Sequence, residues 1–213
     1  MLAAAIAYPE NPAFLGGANY SPLAKGQRWV YSLFKKKENK QKDDVQAFII
    51  KTEKIDNVEF LAYEIPSKGM AYFITKDPSG EFVRFARVSL PVLGFINLDI
   101  TLDPPICALK LPLTAGDAWI YTGIARVKLL AFITVEKKLS IEFKLSGPES
   151  VETHGKIFTA YHLHAQVNRR WDEEKPINGD AWLAENTGVI RAETINSLME
   201  LKEYDSGEHE TTL

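Results

Sequence analysis

The stretch PLAKGQRWVY at residues 22–31 returns as PLTAGDAWIY at residues 112–121, with Pro, Leu, Gly, Trp and Tyr at identical offsets. Proline fixes φ and glycine permits a tight turn, so each copy begins as a turn. The Trp and the Tyr are two positions apart and therefore point to one face of a strand. Each copy of this repeat predicts a turn that leads into a β-strand.

Strand patterns continue through most of the chain. Residues 139–146 alternate apolar and polar side chains, which is typical of a half-buried strand, and residues 157–167 carry one apolar face. Further strands are predicted at 27–34, 44–54, 57–65, 69–76, 80–88, 117–123, 125–136, 188–194 and 197–204. This spacing, with turn sequences between the strands, favours an antiparallel sandwich, an open barrel or a strongly curved sheet.

The segment 88–113 joins the two copies of the repeat and is the least regular part of the chain. Its apolar residues 92–100 are interrupted by Gly94 and flanked by prolines. We expect a buried strand that crosses from one half of the sheet to the other. A short helix within 89–110 and an apolar lid over a ligand cavity are the alternatives.

Length and charge limit the domain organisation. The chain has 213 residues and a formal net charge of −3, which allows one large β domain but gives no electrostatic basis for binding nucleic acid. We expect a leader at 1–19, a single β domain at 20–205 with halves of about 20–110 and 111–205, and a disordered tail at 206–213. No stretch has the ~20 apolar residues of a transmembrane helix.

The N-terminal sequence carries a feature of exported proteins. Ala5-Ile6-Ala7 has the small-x-small form of a signal-peptidase site, and a proline-rich polar sequence follows it. The basic region that normally begins such signals is missing. We interpret residues 1–7 as the tail of an export signal whose start was clipped or misplaced, which predicts a periplasmic or secreted protein, with a disordered cytosolic N-terminus as the alternative.

Sequence motifs for catalysis are missing. There is no P-loop, no G-x-G-x-x-G, no G-x-S-x-G and no cysteine cluster, and the single Cys107 lies in an apolar run that predicts a buried, inert thiol. His162 and His164 lie on one strand face, as a metal pair would, with His154 or Glu193 as a third ligand. We favour ordinary core or surface histidines, and predict no metal, no cofactor and no enzymatic activity.

Several strands are apolar on both faces, namely 47–50, 82–85 and 129–133. Such strands form either a packed core or a hollow interior that holds an apolar ligand. The residues that we predict to contact such a ligand are aromatic: Phe48, Phe60, Tyr72, Phe95 and Phe132. We expect this site between the two copies of the repeat, whose tryptophans fasten the fold, so that Trp119→Ala costs about 3–5 kcal/mol.

An ordered set of short elements resembles small exported bacterial proteins of the TapB family. After the two copies of the repeat it comprises VETHGKIFTAY at 151–161, WLAENTGVIR at 182–191 and MELKEY at 199–204, with departures at His154 and at Asn186-Thr187. The resemblance implies an exported, mainly β domain with a strongly curved antiparallel sheet or half-barrel and few or short helices. It is distantly similar to the LolA/LolB lipoprotein carriers and offers no catalytic residues.

Two functions are compatible with these observations. The first is an envelope protein that binds an apolar ligand, an acyl chain or a lipidated protein inside its curved sheet. The second is a structural or protein-interaction module of the envelope, without a small-molecule site, that binds an envelope protein by strand addition at a sheet edge.

Overall fold

The computed structural model describes residues 19–37, 40–55, 57–90, 96–130, 133–169 and 176–207, which are almost entirely antiparallel β-structure. The strands are β1 (Arg28–Lys35), β2 (Lys40–Ile55), β3 (Val58–Ile65), β4 (Met70–Asp77), β5 (Gly80–Leu90), β6 (Ile96–Lys110), β7 (Ala118–Leu130), β8 (Ile133–Thr153), β9 (Lys156–Arg169), β10 (Ile177–Ala184), β11 (Gly188–Thr194) and β12 (Ser197–Asp205). One turn of 3₁₀ helix, Pro66–Lys68, links β3 and β4. The predicted leader up to residue 18 and the tail from residue 208 lie outside the described residues.

The strands pair in sequence order around a closed ring. Each strand pairs antiparallel with the next one along the chain, and β1 pairs with both β2 and β12. The predicted mainly β, strongly curved antiparallel sheet is therefore confirmed, and its pairing continues past a half-barrel until the two ends meet. Closure gives the outermost strands backbone partners that an open sheet would leave exposed.

Two neighbouring rows of side chains distinguish the faces of the sheet. One row crosses β3 to β8 and is apolar: Tyr63, Tyr72, Ala86, Ile100, Val127 and Val135. The adjacent row is mainly polar: Glu64, Ala71, Arg87, Asp99, Lys128 and Thr134. Because successive side chains of a strand point to opposite faces, the first row belongs to the inner face and the second to the outer face.

The buried apolar side chains of the described residues form three clusters. The largest gathers around Trp29, Tyr31 and Ile49, and a second gathers around Leu109, Phe143 and Leu163. Phe60, Ala62 and Phe73 make up a smaller third cluster. Phe60 belongs to the third cluster while the adjacent Leu61 packs against the first, so β3 has apolar neighbours on both faces.

The strand expected within 88–113 is β6, whereas β10 was not predicted from the sequence. The helix considered within 89–110 is wrong for the part of that segment that the structure describes, because residues 96–110 form the crossing strand β6. Pro104 and Pro105 suggested a break, yet they lie beyond the last β6–β7 pair, Asp103 with Ile124, and within a register shift against β5. Neither proline therefore removes a backbone hydrogen bond from the sheet.

Candidate functional site

A cavity of about 240 Å³ lies on the inner face of the closed sheet. Its wall combines side chains of β1, β3, β4, β5, β6, β9, β10 and β11 with residues 20–23, which precede the first strand. Both halves of the chain therefore contribute to one cavity. Residues of the first copy of the repeat, including Pro22, Trp29 and Tyr31, form part of this wall, whereas the sequence placed a ligand site between the copies.

Most of the cavity wall is apolar. Leu109, Leu163 and Leu183 are each buried, and Ile74 and Ala181 complete the aliphatic part of the lining. Apolar surface of this kind favours an apolar occupant, because each methylene group removed from water contributes about 0.8 kcal/mol.

Among the described residues of the wall, Glu81 is the charged one. It is 7% exposed and pairs across the sheet with Leu109 of the second cluster, which fixes its side chain on the inner face. Burial raises the pKa of this carboxyl, while the Lys76 ammonium and the Ser21 hydroxyl act in the opposite direction. Carboxylates are rarely this buried unless they are paired, so Glu81 marks the polar part of the cavity.

Lys76 and the segment around Ser21 hold this polar part together. The Lys76 ammonium donates to the Ser21 carbonyl at 2.7 Å, and its Nζ lies 3.3 Å from Glu81 Oε1. Glu81 Oε1 nevertheless makes no hydrogen bond with the described residues. An acceptor oxygen thus remains available beside the cavity.

Two tyrosines bring hydroxyl groups to the same wall. The Tyr31 hydroxyl donates to the Val189 carbonyl at 2.9 Å, and burial raises its pKa well above the ordinary value. Burial also raises the pKa of Tyr63 to about 12. Both phenols therefore stay neutral in the physiological pH range and can act as hydrogen-bonding groups.

The Trp and Tyr of each repeat copy bind backbone carbonyls where strand pairing stops. In the first copy Trp29 Nε1 donates to the Thr187 carbonyl at 2.8 Å, beyond the end of the β11–β12 ladder at Arg191. In the second copy Trp119 Nε1 donates at 2.9 Å to the Cys107 carbonyl. The repeat thus supplies side-chain hydrogen bonds in two places where backbone ladders end.

The second copy is less deeply buried than the first. Trp119 is half-buried and stacks on Phe143 at 5.0 Å, whereas Trp29 is 3% exposed. Tyr121 donates to the Pro104 carbonyl at 2.9 Å, and its ring lies over Gly123, where a Cβ atom would collide with the phenol oxygen. We accordingly expect Trp119→Ala to cost less than the 3–5 kcal/mol typical of a fully buried aromatic.

The two sequence-predicted ligand residues whose side chains the structure describes, Phe60 and Tyr72, do not line the cavity. Phe60 is 2% exposed in the third cluster, and Tyr72 is half-buried in the inner row next to Tyr63, but neither lines the cavity. The backbone of Phe48 lies in β2, but its side chain is not described, and Phe95 and Phe132 lie outside the described residues. Only Tyr72 therefore has a described place on the inner face.

The two histidines share a carboxylate partner. His162 Nε2 and His164 Nδ1 each lie 2.8 Å from Oδ1 of Asp180, on the neighbouring strand β10. Burial acts to raise the pKa of Asp180. The hydrogen bonds from both histidines act in the opposite direction and together outweigh burial, so the net pKa is below the ordinary value. The pair is thus engaged in a hydrogen-bonded cluster.

Neither residue considered as a third metal ligand joins this cluster. His154 lies in the β8–β9 turn, and Glu193 forms ion pairs with Lys36 and Arg191. Among the residues that the structure describes, no group of three or more His, Cys, Asp or Glu side chains is arranged to hold a metal ion.

Cys107 is half-buried on β6, and its thiol has a raised pKa because of burial, with nearby acidic groups adding to the effect and Lys110 opposing it. The thiolate is the nucleophilic form of cysteine, so a raised pKa keeps the side chain in its less reactive state at neutral pH. The geometry therefore provides no activation for a cysteine nucleophile.

Sequence reasoning missed Glu81 and Lys76 as site residues. They flank the turn Asp77-Pro78-Ser79-Gly80, where opposite charges are ordinary on an exposed hairpin. Register shifts in β4 and β5, at Phe73/Ile74 and at Val83/Phe85, interrupt the simple alternation along both strands. The sequence signal that was available is this pair of opposite charges next to a tight turn. It did not indicate which face of the sheet the two side chains occupy.

Comparison with known proteins gives only distant similarities. No protein-family model matches the chain, and no curated protein matches it, so the resemblance to TapB and LolA/LolB proteins stays a prediction. Within the described residues, no helix has the length and apolar character needed to cross a membrane.

Three solved structures resemble the chain in their overall course. A predicted lipoprotein from Parabacteroides distasonis has a TM-score of 0.40 and 10% identity, covering 89% of this chain and 99% of that one. A predicted exported protein with a YmcC-like fold from Bacteroides fragilis has a TM-score of 0.45 and 15% identity, covering 88% and 99%. The hypothetical lipoprotein YmcC from Escherichia coli has a TM-score of 0.44 and 12% identity, covering 87% and 88%. At these levels none of the three assigns a function to this chain.

Proposed function

We propose that this protein binds an apolar ligand, such as an acyl chain, on the inner face of its closed sheet, without transforming it chemically. The observation that carries the proposal is the cavity of about 240 Å³ whose wall is aliphatic and aromatic except around Glu81. Apolar cavities with a few polar groups are the usual form of small-molecule sites.

The inner apolar row supplies room for a ligand longer than the cavity. Small-molecule pockets usually measure about 300–1,000 Å³, so the cavity alone falls slightly short of that range. Tyr63 lines the cavity and begins the row that runs through Tyr72 and Ile100 to Val135. The members of this row beyond Tyr63 are only half-buried, so an acyl chain extending along it would cover their remaining exposed surface.

The alternative function, an interaction module that adds a partner strand at a sheet edge, has less support. Strand addition needs a strand with free backbone groups. In the part of the chain that the structure describes, each strand pairs on both sides over at least part of its length, so unpaired backbone is confined to places where a ladder ends, as in β6 beyond Asp103. A ligand inside the sheet is compatible with this closure.

We also propose that the protein acts outside the cytoplasm, in the periplasm or as a secreted protein. The support is the signal-peptidase-like Ala5-Ile6-Ala7 and the sequence resemblance to exported proteins. Fractionation of the native source cells, with N-terminal sequencing of the protein they contain, tests this proposal. Recovery of the native protein in the cytosolic fraction would contradict it.

Binding is tested with purified protein prepared without detergent. We expect native mass spectrometry to detect co-purified lipid. We also expect the fluorescent probe N-phenylnaphthylamine to bind and to be displaced by compounds with a ten-carbon chain. Absence of bound lipid together with absence of probe binding would refute the proposal.

A pair of alanine substitutions locates the site. Ala181 lines the cavity, while Ala192 lies directly opposite on β11 and is not part of the lining. We expect Ala181→Leu to weaken probe binding about tenfold, equivalent to about 1.4 kcal/mol, because the added atoms occupy the cavity. Ala192→Leu should leave the affinity almost unchanged, and equal effects of the two variants would place the probe elsewhere.

A further inference from the structure

Glu81 occupies an unusual place for a carboxylate. Lys76, Glu81 and Leu109 form a row of directly paired residues across β4, β5 and β6, on the inner face of the sheet. Glu81 is 7% exposed and belongs to the cavity wall, which is otherwise mostly apolar. Burying a charged group away from water is costly unless other groups compensate it, and the described protein compensates Glu81 only in part.

The missing compensation is a hydrogen bond to one oxygen. Glu81 Oε1 lies 3.3 Å from Lys76 Nζ but makes no hydrogen bond, whereas that ammonium group donates to the Ser21 carbonyl at 2.7 Å. Ion pairing with Lys76 therefore balances the charge of Glu81 without satisfying this acceptor. A buried acceptor without a donor destabilises the protein, and a donor on a bound ligand would remove that cost.

We infer that Glu81 anchors the head group of the ligand, and that this head group is a neutral hydrogen-bond donor such as a hydroxyl. The inference rests on the proposed function, since it names the chemistry of the ligand in the same cavity. A carboxylate head group would be repelled by Glu81. A cationic head group is less suited than a hydroxyl, because Lys76 already places one positive charge against the same oxygen.

The direction of the ligand follows from this anchor. With its hydroxyl at Glu81, a ligand would place its hydrocarbon part among Ile74, Leu109 and Leu163 of the cavity wall. A single-chain alcohol is therefore the simplest compound that satisfies both the polar and the apolar parts of the wall.

Displacement of N-phenylnaphthylamine from the full chain by compounds with an unbranched ten-carbon chain tests the inference. We expect 1-decanol to compete about tenfold more strongly than decyl methyl ether, which has the oxygen but no donor, as fits one hydrogen bond to a charged acceptor. Decanoate and decylamine should both compete more weakly than 1-decanol. A stronger effect of decanoate would overturn the inference and indicate Lys76 as the anchor, and a stronger effect of decylamine would overturn the neutral head group.

Variants at residue 81 separate anchoring from folding. Glu81→Met removes the acceptor at similar size, and we expect it to bind the probe but to lose the preference for alcohol over ether. Glu81→Gln keeps an acceptor oxygen and should retain part of the preference, which gives a second measurement if the Met variant does not fold. Glu59→Met, an exposed position outside the cavity wall, is the matched control.

The outcomes distinguish the two proposals. Binding of the probe with equal competition by alcohol and ether would overturn the anchoring role of Glu81 while leaving the apolar site in place. Failure of the wild-type protein to bind the probe or any of the four compounds would refute the apolar site itself. A preference for alcohol that persists unchanged in Glu81→Met would also overturn the inference.

Discussion

Trp29 and Trp119 hold the same position in the two copies of the repeat, yet we predict that their removal has different costs. Trp29 is 3% exposed and lies in the largest buried cluster, with Tyr63 and Tyr204 rings at 5.9 and 5.5 Å. Trp119 is half-buried and has one stacked partner, Phe143. Equivalent places in sequence thus have different surroundings in the fold.

The expected magnitudes follow from burial and from the lost hydrogen bond. Trp29→Ala removes a fully buried aromatic side chain, which typically costs about 3–5 kcal/mol, and leaves the Thr187 carbonyl without its donor. Trp119→Ala removes a half-buried ring and one stacking contact, for which we expect about 2 kcal/mol. For a chain of this size each kcal/mol lowers the melting temperature by about 2–4 °C.

Thermal and urea denaturation followed by far-ultraviolet circular dichroism measure the difference without relying on tryptophan fluorescence. We expect Trp29→Ala to lower the melting temperature by roughly 6–20 °C and Trp119→Ala by roughly 4–8 °C. If Trp29→Ala does not fold, Trp29→Phe keeps an aromatic ring and loses the indole N–H, with an expected cost of about 1–3 kcal/mol. A larger loss for Trp119→Ala than for Trp29→Ala would refute the reasoning from burial.

Three further predictions concern a close contact and two carboxyl groups. Gly123→Ala should destabilise the protein by about 1–3 kcal/mol in urea denaturation, because its Cβ would collide with the Tyr121 ring. Gly147→Ala is the control and should have little effect, because its Cβ would meet a neighbour only at 3.4 Å. Equal losses of stability in the two variants would contradict this prediction. Burial raises the pKa of Glu81 in the folded state, so its contribution to stability is greatest below the ordinary carboxyl pKa and falls as the pH rises through the folded pKa. Relative to wild type, Glu81→Gln should therefore gain stability as the pH rises from the ordinary carboxyl pKa through the raised pKa of the folded state, and a pH-independent difference would argue against the assignment. The net pKa of Asp180 is lowered, so its contribution to stability is present above the ordinary carboxyl pKa and is lost as the pH falls through the folded pKa. We therefore expect Asp180→Asn to be less stable than wild type at pH 6, and the difference to disappear toward pH 2. Urea titrations at several pH values measure this difference.

Strands with clear alternation could be predicted from the sequence, and strands without it could not. The first copy of the repeat predicted a strand at 27–34, and the structure has Arg28–Lys35. β10 was missed because Asn178, Gly179 and Asp180 at its start have low strand preference, so its formation depends on pairing with β9 and β11. Long-range pairing of this kind is absent from any local pattern.

The polar part of the candidate site could not be predicted from the alternation of apolar and polar residues, for a different reason. Phe85 lies with the third cluster, opposite Phe73, while Val83 pairs with Ile74 of the cavity wall. These two residues of β5 would share a face in a regular strand, but the register shift between them places them on opposite faces. Counting from Phe85 therefore assigns Glu81 to the wrong face.

The repeat connects the closure of the ring with the presence of a cavity. Paired strands lie about 4.8 Å apart, so a ring closed only by backbone hydrogen bonds would bring every neighbouring pair to that spacing. Trp29 instead reaches the Thr187 carbonyl just before β11, and Tyr31 reaches the Val189 carbonyl of β11, both beyond the end of the β11–β12 ladder. Trp119 and Tyr121 reach carbonyls of β6 beyond the end of its ladder with β7. An aromatic side chain is longer than a backbone hydrogen bond, so these contacts join strands that have separated. At the first copy, the same rings that join the strands also line the cavity, which makes that copy both a structural fastener and a wall of the candidate site.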